Sequence, residues 1–149
     1  MESKTVNDKI ICSGALFYAK STNRILLLQK SRGKHLGTWG LVGGTTVDGE
    51  SAWQGLQREV CEEIGSMPST IKILPLEKFV SNDSVFVFQT YFCIVEHEFI
   101  PTLSSEHLAW GWFDIFSLPK PVHKALDLSL RNKIIQTKIQ SIIDIIDSL

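Results

Sequence analysis

Runs of apolar residues alternate with clusters of polar, turn-forming residues through much of this chain, a pattern typical of β-strands. We predict strands over six runs: residues 10–18, 24–29, 38–42, 71–80, 85–95 and 108–113. Polar residues at 21–23 and 81–84 predict tight turns between two pairs of these runs. The run at 85–95 is apolar on both faces, so we expect a central strand that is covered on both sides.

Helical spacing replaces the strand pattern in three segments. The first predicted helix begins at Ser51, which forms a capping-box sequence with Gln54, and ends at Gly65, a common helix terminator. Its apolar positions recur at intervals of three and four: Trp53, Leu56, Val60 and Ile64. Two further helices are predicted over residues 123–130 and 132–149. Strands combined with these helices predict the α/β class, with a mixed β-sheet between helices.

The first predicted helix carries a concentration of negative charge. Glu59, Glu62 and Glu63 are three and four residues apart, so their carboxylates share one flank and repel one another. A solvated acidic face would account for these glutamates alone. The placement of Arg58 and of Glu50 around them favours a site in which a cation neutralises the carboxylates. Hard oxygen ligands suit Mg²⁺ or Mn²⁺, and Mg²⁺ usually binds through one or two carboxylates together with substrate phosphates.

The spacing of these residues resembles a known signature. From Gly44 to Gly65 the chain follows the pattern G-x5-E-x7-R-E-(apolar)-x-E-E-x-G, which is similar to that of the Nudix (MutT-like) hydrolases. The resemblance implies a Nudix-type α/β/α sandwich and Mg²⁺-dependent hydrolysis of a nucleoside diphosphate linked to another group, with Mn²⁺ as a substitute. It implies that the metal is held by the following groups: Glu59, Glu62, Glu63, the carbonyl of Gly44 and, more distantly, Glu50. Arg58 would orient a neighbouring carboxylate, although a purely structural ion pair is the alternative.

Two further matches extend the resemblance. Residues 37–44 are similar to the G-x-W-x-x-P-G-G sequence that precedes the signature in the family, with Val42 in place of the usual proline. The Ser-Glu-His sequence at 105–107 resembles the late loop from which many members supply another carboxylate or a histidine. Glu106 is therefore a candidate for an auxiliary metal ligand or the general base. The alternative is an exposed loop glutamate without a catalytic role.

Residues before and within the glycine pair are candidates for binding the substrate. Gly43 and its neighbour lack a Cβ, so a ligand can approach the backbone closely or the chain can turn sharply there. Arg32, Lys34 and His35 precede the pair and could contact the phosphates or the leaving group of a nucleotide. A solvated run of loop charges is the alternative for these three side chains.

Composition narrows the functional classes. The chain has 149 residues and 44% hydrophobic content, which fits one domain over residues 1–149. A net charge of −1 provides no basic field for duplex nucleic acid, which leaves a small nucleotide as the expected partner. Apolar runs are too short to cross a bilayer, so no membrane partner is expected. The three cysteines are dispersed, which predicts reduced, mostly buried thiols in a cytoplasmic protein. The oligomeric state stays open, with a homodimer as one option.

The substrate is not specified by any clear sequence marker. Residues 81–84 lack the proline and the tyrosine that resemblance to hydrolases of ADP-ribose and of dinucleoside polyphosphates would require. Nucleoside triphosphates or a nucleotide sugar are therefore favoured, with the other two classes kept open. A catalytically silent Nudix-fold binding or sensing module is the main alternative, although such domains typically lose signature carboxylates that this chain retains. An isomerase of prenyl diphosphates would need an upstream catalytic cysteine, for which Cys12 is badly placed.

Overall fold

The computed structural model describes residues 9–149. The strands of its seven-stranded sheet are β1 (Ile10–Ala19), β2 (Arg24–Lys30), β3 (Trp39–Gly40), β4 (Val42–Thr45), β5 (Lys72–Val80), β6 (Phe86–Val95) and β7 (His107–Asp114). The helices are α1 (Ala52–Ile64), α2 (Lys124–Arg131) and α3 (Lys133–Asp147). All three predicted helices and five of the six predicted strands are present, and most of their ends agree within one or two residues.

Strand β1 organises the sheet. It pairs in parallel with β6 from Ile10 to Ala19. On its other edge it pairs antiparallel with β2 near its carboxyl end and with β4 near its amino end. Strand β5 lies outside β6, and β7 pairs with the far edge of β2. The sheet is therefore mixed, as predicted, and β1 carries the short strand β4 that enters the site.

Helices cover both faces of the sheet and bury two hydrophobic clusters. Because side chains alternate along a strand, Ala15 and Phe17 of β1 face α1, whereas Leu16 and Tyr18 face α2 and α3. The same alternation in β2 sends Leu26 toward α1 and its neighbours toward the other helices. This arrangement is the α/β/α sandwich predicted from the sequence.

The helix signals in the sequence correspond to the observed caps. The hydroxyl of Ser51 accepts from the N–H of Gln54, and the Gln54 side chain accepts from the N–H of Ser51, which is the predicted capping box. Gly65 ends α1 with a φ of 96°. Asn132 caps α3 by accepting from the N–H of Ile134 and of Ile135. These local signals fix where each helix begins and therefore which side chains face the sheet.

The strand predicted over residues 38–42 differs from the structure. Two short strands, β3 and β4, take its place, and Gly43 with Gly44 belongs to β4 rather than to a loop. Register brings Ser13 opposite Gly44 and Gly14 opposite Gly43. The glycine pair is required by this close contact, since a Cβ on Gly43 would lie 2.1 Å from the carbonyl oxygen of Ser13.

Two further expectations need correction. Only the second half of β6 is covered on both faces, because Phe86 and Phe88 keep part of their surface exposed while residues 92–95 are buried. The cysteines are free thiols, as expected, but Cys61 is exposed on α1 whereas Cys93 is buried. Within residues 9–149, every helix is too short or too polar to cross a bilayer.

The fit between β1 and β4 can be tested at Gly43. A Gly43→Ala substitution should lower the free energy of unfolding by about 3 kcal/mol, because its Cβ collides with backbone that cannot move without breaking the strand pair. Gly33→Ala is the matched control: it meets no atom within 4 Å and carries only the cost of a φ of 84°, about 1 kcal/mol. Urea unfolding measures both. Equal losses in the two variants would contradict the close-packed strand pair.

Candidate active site

Helix α1 presents the charged side chains of the site at a fixed rotation. Its apolar residues Leu56, Val60 and Ile64 are buried against the sheet, and α1 lies against both β1 and β4. The charged residues that follow Gln57 therefore project beside the glycine pair of β4. Rotating the helix to move them would expose the apolar stripe.

The guanidinium of Arg58 joins most of the acidic residues of the signature. Its Nε and Nη2 donate to the two carboxylate oxygens of Glu50, at 2.7 and 3.1 Å. Its Nη1 donates to Glu59 at 3.1 Å and to Glu62 at 3.2 Å. Nη2 also donates to the carbonyl of Thr45, at 3.1 Å, at the end of β4. These hydrogen bonds with carboxylates raise the pKa of Arg58, so the guanidinium is a permanent positive charge inside the cluster.

Glu50 is held tightly by this arginine. Both of its oxygens accept from Arg58, and Oε1 also accepts from the N–H of Val47 at 3.0 Å. These hydrogen bonds, with Arg58 first, lower the pKa of Glu50. The resemblance implies a distant metal ligand here, whereas the contacts in the structure favour a carboxylate that fixes the position of Arg58.

Glu59 lies directly against the second glycine of the pair. A Cβ built on Gly44 would lie 2.6 Å from the carboxyl carbon of Glu59, so a side chain at this position would displace the carboxylate. Burial raises the pKa of Glu59, the hydrogen bond from Arg58 opposes that rise, and the charges of Glu62 and Glu106 add to it.

Glu63 is the buried carboxylate of the site. It is 5% exposed, and its Oε1 accepts from the N–H of Gly43 at 2.9 Å. Burial raises its pKa to about 8, and the nearby negative charges of Glu59 and Glu106 add to the rise. The Gly43 N–H and the positive charge of Lys30 act in the opposite direction. This carboxyl group is thus costly to ionise in the folded protein without a further positive charge.

Spacing alone predicts that the three glutamates of the helix share one flank. In the structure their environments differ. The side chain of Glu62 is 57% exposed, that of Glu59 is 17% exposed, and Glu63 is buried. Glu62 contacts Arg58, whereas Glu63 points to β4. The pair nearest to the glycines is therefore Glu59 and Glu63.

Glu106 reaches the same region from the loop before β7. Two backbone hydrogen bonds tie this loop to the end of α1. The N–H of Thr102 donates to the carbonyl of Ile64, and the N–H of Ser104 donates to the carbonyl of Glu63. The Glu106 side chain is 50% exposed and forms an ion pair of 3.7 Å with Arg32. Its charge acts on both Glu59 and Glu63, so the structure brings it to the carboxylate cluster.

The four residues proposed for substrate binding do not form one group in the structure. Arg32 is paired with Glu106, and Lys34 is exposed on the loop between β2 and β3. His35 is partly buried against His123, with ring centroids 4.3 Å apart. Gly43 donates its N–H to a carboxylate of the cluster, so this N–H is used within the protein rather than held free for a phosphate.

Sequence reasoning missed several residues that lie near the site. His107 pairs with Lys30 across β7 and β2, and burial lowers its pKa. The Nδ1 of His107 and the Oγ of Ser13, which is opposite Gly44, are buried without a hydrogen-bond partner in the part of the chain that the structure describes. His123 reaches the site only through pairing of residues 121–123 with β3, for which the sequence offers no local signal.

The site contains several carboxylate oxygens, and Arg58 already donates hydrogen bonds to some of them. Across residues 9–149 there is no set of three or more His, Cys, Asp or Glu side chains already gathered for a metal ion. Glu59 and Glu63 nevertheless both lie against the glycine pair of β4, and the negative charge of Glu106 raises the pKa of each. Such a group can bind a hard cation or accept a proton from water.

Comparison with known proteins agrees with this geometry. Residues 11–132 match the sequence model of the NUDIX domain. The chain belongs to the Nudix family. Among solved structures, the MutT NUDIX hydrolase from Burkholderia pseudomallei is similar with a TM-score of 0.68 and 26% identity, over 84% of this chain and 98% of that one. The NUDIX domain of Shewanella oneidensis NrtR, solved in complex with ADP ribose, is similar in fold with a TM-score of 0.63 and 20% identity, over 80% and 83% of the two chains.

Sequence relatives include longer Nudix proteins. The 8-oxo-dGDP phosphatase NUDT18 of Mus musculus is 29% identical over 113 residues, which cover 74% of this chain and 35% of that protein. Nudix hydrolase 6 of Arabidopsis thaliana is 31% identical over 109 residues, or 68% of this chain and 38% of that protein. This Nudix chain spans about a third of the length of these curated relatives.

The burial of Glu63 predicts a pH-dependent stability. Its pKa is about 8 in the folded protein and about 4.3 in an unfolded chain, so between these values the unfolded state releases a proton that the folded state keeps. The free energy of unfolding should therefore be highest at low pH within this window and fall by a few kcal/mol as pH rises through about 8. Urea unfolding in excess chelator between about pH 5 and pH 9 measures this loss.

Substitution separates this effect from other titrating groups. Glu63→Gln should remove most of the loss, because its amide oxygen can still accept from Gly43 and carries no charge. Glu96→Gln, at an exposed position after β6, should leave the pH dependence unchanged. Identical pH curves for the native protein and Glu63→Gln would show that Glu63 is not the responsible group.

Proposed function

We propose that this Nudix chain is a divalent-metal-dependent pyrophosphohydrolase that cleaves the diphosphate bond of a nucleoside diphosphate linked to another group. The observation that carries the proposal is the buried Glu63, which accepts from Gly43 beside Glu59 at a pair of glycines and whose pKa is raised by the charges of Glu59 and Glu106. A carboxylate in that position is destabilised by burial and by its neighbours. Such a cluster is consistent with a bound cation and the phosphates that accompany it.

The donor set fits Mg²⁺ or Mn²⁺. All of its ligands are oxygens, and the space left by the missing Cβ of Gly44 is taken by a carboxylate rather than by an apolar group. We assign Glu59 and Glu63 as the main ligands, with Glu62 and the carbonyl of Gly44 as further candidates from the family resemblance. Arg58 and Glu50 would orient Glu59 and Glu62. Arg58 already shares these carboxylates, so its hydrogen bonds would adjust when a cation binds.

The proposed reaction is attack of water on a phosphorus of the diphosphate. Bound divalent cations would offset the phosphate charge and lower the pKa of water. The protein side chains then have two tasks. Arg58 holds the carboxylates in place, and Glu106, half-exposed and facing the cluster, accepts the proton that water loses. A nucleoside monophosphate and a phosphorylated second product leave.

Similar proteins act on or bind compounds that support a nucleoside diphosphate derivative as the substrate class. They include an 8-oxo-dGDP phosphatase, a domain in complex with ADP ribose and an Ap4A hydrolase from C. elegans. All three ligands contain a nucleoside diphosphate unit. For this chain we propose nucleoside triphosphates or a nucleotide sugar first, with the other two classes also to be assayed.

Free thiols at Cys12, Cys61 and Cys93 are consistent with a reducing compartment such as the cytoplasm.

The metal requirement can be tested directly. Product release from a panel of nucleotides should depend on Mg²⁺ or Mn²⁺ and stop in excess chelator. Glu59→Gln and Glu63→Gln should each lower kcat at least about 10²-fold, because each removes a ligand charge. Glu96→Gln is the matched control at an exposed site and should keep full activity. Turnover in chelator, or full activity in both variants of the cluster, would refute the metal-dependent reaction.

The role of Glu106 has its own test. If Glu106 takes the proton from water, Glu106→Gln should lower kcat about 10²-fold or more while KM changes little. A loss of less than about threefold would make Glu106 a bystander, and water would then be activated without a protein base.

A further inference from the structure

One imidazole links helix α2 to the loop between β2 and β3, which spans residues 31–38. His123 is the residue before α2, and the centroid of its ring lies 4.3 Å from that of His35 in the loop, at an angle of 53° between the rings. Both side chains are partly buried. The two rings therefore form a tertiary contact between the start of a helix and a loop that is distant in sequence.

His123 caps α2 through a ring nitrogen. Its Nδ1 accepts from the N–H of Ala125 at 3.2 Å, and its carbonyl accepts from the N–H of Asp127 at 2.9 Å. A ring nitrogen that accepts a hydrogen bond carries no proton, so this imidazole is neutral with its proton on Nε2. Protonation would direct an N–H of the ring at the N–H of Ala125, and the cap would be lost. A positive charge at the start of a helix is also opposed by the helix dipole.

Backbone hydrogen bonds hold the two segments side by side. The N–H of Trp39 donates to the carbonyl of Pro121 at 2.9 Å, and its carbonyl accepts from the N–H of His123 at 2.8 Å. In the loop, the carbonyl of His35 accepts from the N–H of Thr38 at 3.0 Å and from its hydroxyl at 2.7 Å. Because the backbone is fixed next to each ring, the rings stay in contact as long as these hydrogen bonds hold.

The surroundings of His123 oppose a positive charge. Burial lowers the pKa of His123, and the charges of His35 and Lys30 lower it further. Helix α2 itself carries three charged side chains: Lys124, Asp127 and Arg131. The acidic member of this set accepts from the arginine at 3.1 Å, and β3 contributes no charged side chain. Among residues 9–149, neither histidine of the pair forms an ion pair with a carboxylate.

We propose that His123 is a pH-sensitive switch, which joins α2 to the loop between β2 and β3 when it is neutral and releases both when it takes a proton from solvent. In the joined form Nδ1 caps α2 and the two rings are in contact. In the released form the cap is broken, and a positive charge repels the loop. This step uses only the titration of one imidazole near physiological pH.

The released loop would affect the candidate active site at one segment. Arg32 in the loop is paired with the Glu106 carboxylate at 3.7 Å, and the N–H of Ser31 donates to the carbonyl of Glu106 at 2.9 Å. Release of the loop therefore loosens the contacts that hold Glu106. The importance of this effect for catalysis rests on the proposed function, whereas the switch itself does not.

The direction of the pH dependence follows from linkage. Because the pKa of His123 is lowered in the folded protein, the released form binds the proton more readily than the joined form. The joined form is fully favoured above the ordinary histidine pKa of about 6.5, and it loses up to about tenfold in population ratio for each pH unit below that value. This local loss at acidic pH is opposite in direction to the global loss expected from Glu63, which occurs as pH rises.

Amide hydrogen exchange of the full chain, corrected for the intrinsic exchange rates at each pH, tests the switch. From about pH 7 to about pH 5.5, the protection factors of the Ala125, Asp127 and Thr38 amides should fall about three- to tenfold. His123→Asn keeps a residue that caps helices well and does not titrate, so its protection factors should not depend on pH. His35→Gln keeps the cap but removes the facing ring, and its loss should be smaller than that of the native chain. His97→Gln, at an exposed position after β6, is the matched control and should behave as the native chain does.

Three results would overturn the switch. The first is the same pH dependence in the native chain and in His123→Asn. The second is a ring nitrogen NMR shift showing that Nδ1 of His123 is protonated at about pH 7, since the cap would then not exist. The third is a loss confined to α2 while Thr38 stays protected, because the helix would then fray without releasing the loop. These measurements need neither metal nor nucleotide, so an absence of turnover would refute the proposed function while amide exchange still decides the switch.

Discussion

The hydrogen bonds of Arg58 are the interaction on which the rest of the site depends. One guanidinium binds Glu50 with two donors, reaches Glu59 and Glu62 along the helix, and contacts the carbonyl of Thr45 at the end of β4. It therefore joins the helix, the preceding loop and the strand. Without this positive charge, carboxylates one helical turn apart would repel one another and destabilise α1. The planar fork of arginine suits this work, because a lysine could not bind both oxygens of one carboxylate while reaching two others.

The close contact between β1 and β4 imposes a second constraint, which concerns Glu63. Gly43 and Gly44 bring β4 so near to β1 and α1 that one N–H is directed at Glu63 and no side chain separates the strand from Glu59. The protein thereby keeps a buried carboxyl group whose pKa is about 8, a feature that lowers stability when the group is ionised. Residues that only stabilise a fold are not expected to have this property. It is more typical of functional sites, where stability is given up for chemistry.

Much of the fold follows from local sequence signals, and the same is true of the carboxylates. Capping residues, glycine terminators and apolar periodicity predict the position of α1, and they also predict that Arg58 and Glu59 lie on it. Environment is not predictable in this way. Spacing places Glu62 and Glu63 on one flank, yet one is exposed and the other is buried, because burial depends on where β4 passes. The membership of Gly43 in a strand likewise depends on its pairing with Gly14, a contact distant in sequence.

Residues outside the signature show why the family is easier to infer than the substrate. The signature lies on one helix and the segment before it, so its residues have fixed spacings that can be recognised in the sequence. The pair of His35 and His123, for example, is assembled from the loop after β2 and the residue before α2, and it depends on the pairing of residues 121–123 with Trp39. Such residues have no fixed spacing that a sequence pattern could capture. Changes of length in the loop or before α2 would move His35 or His123 without disturbing α1 or β4. The surroundings of the carboxylates can therefore change while the carboxylates themselves stay in place.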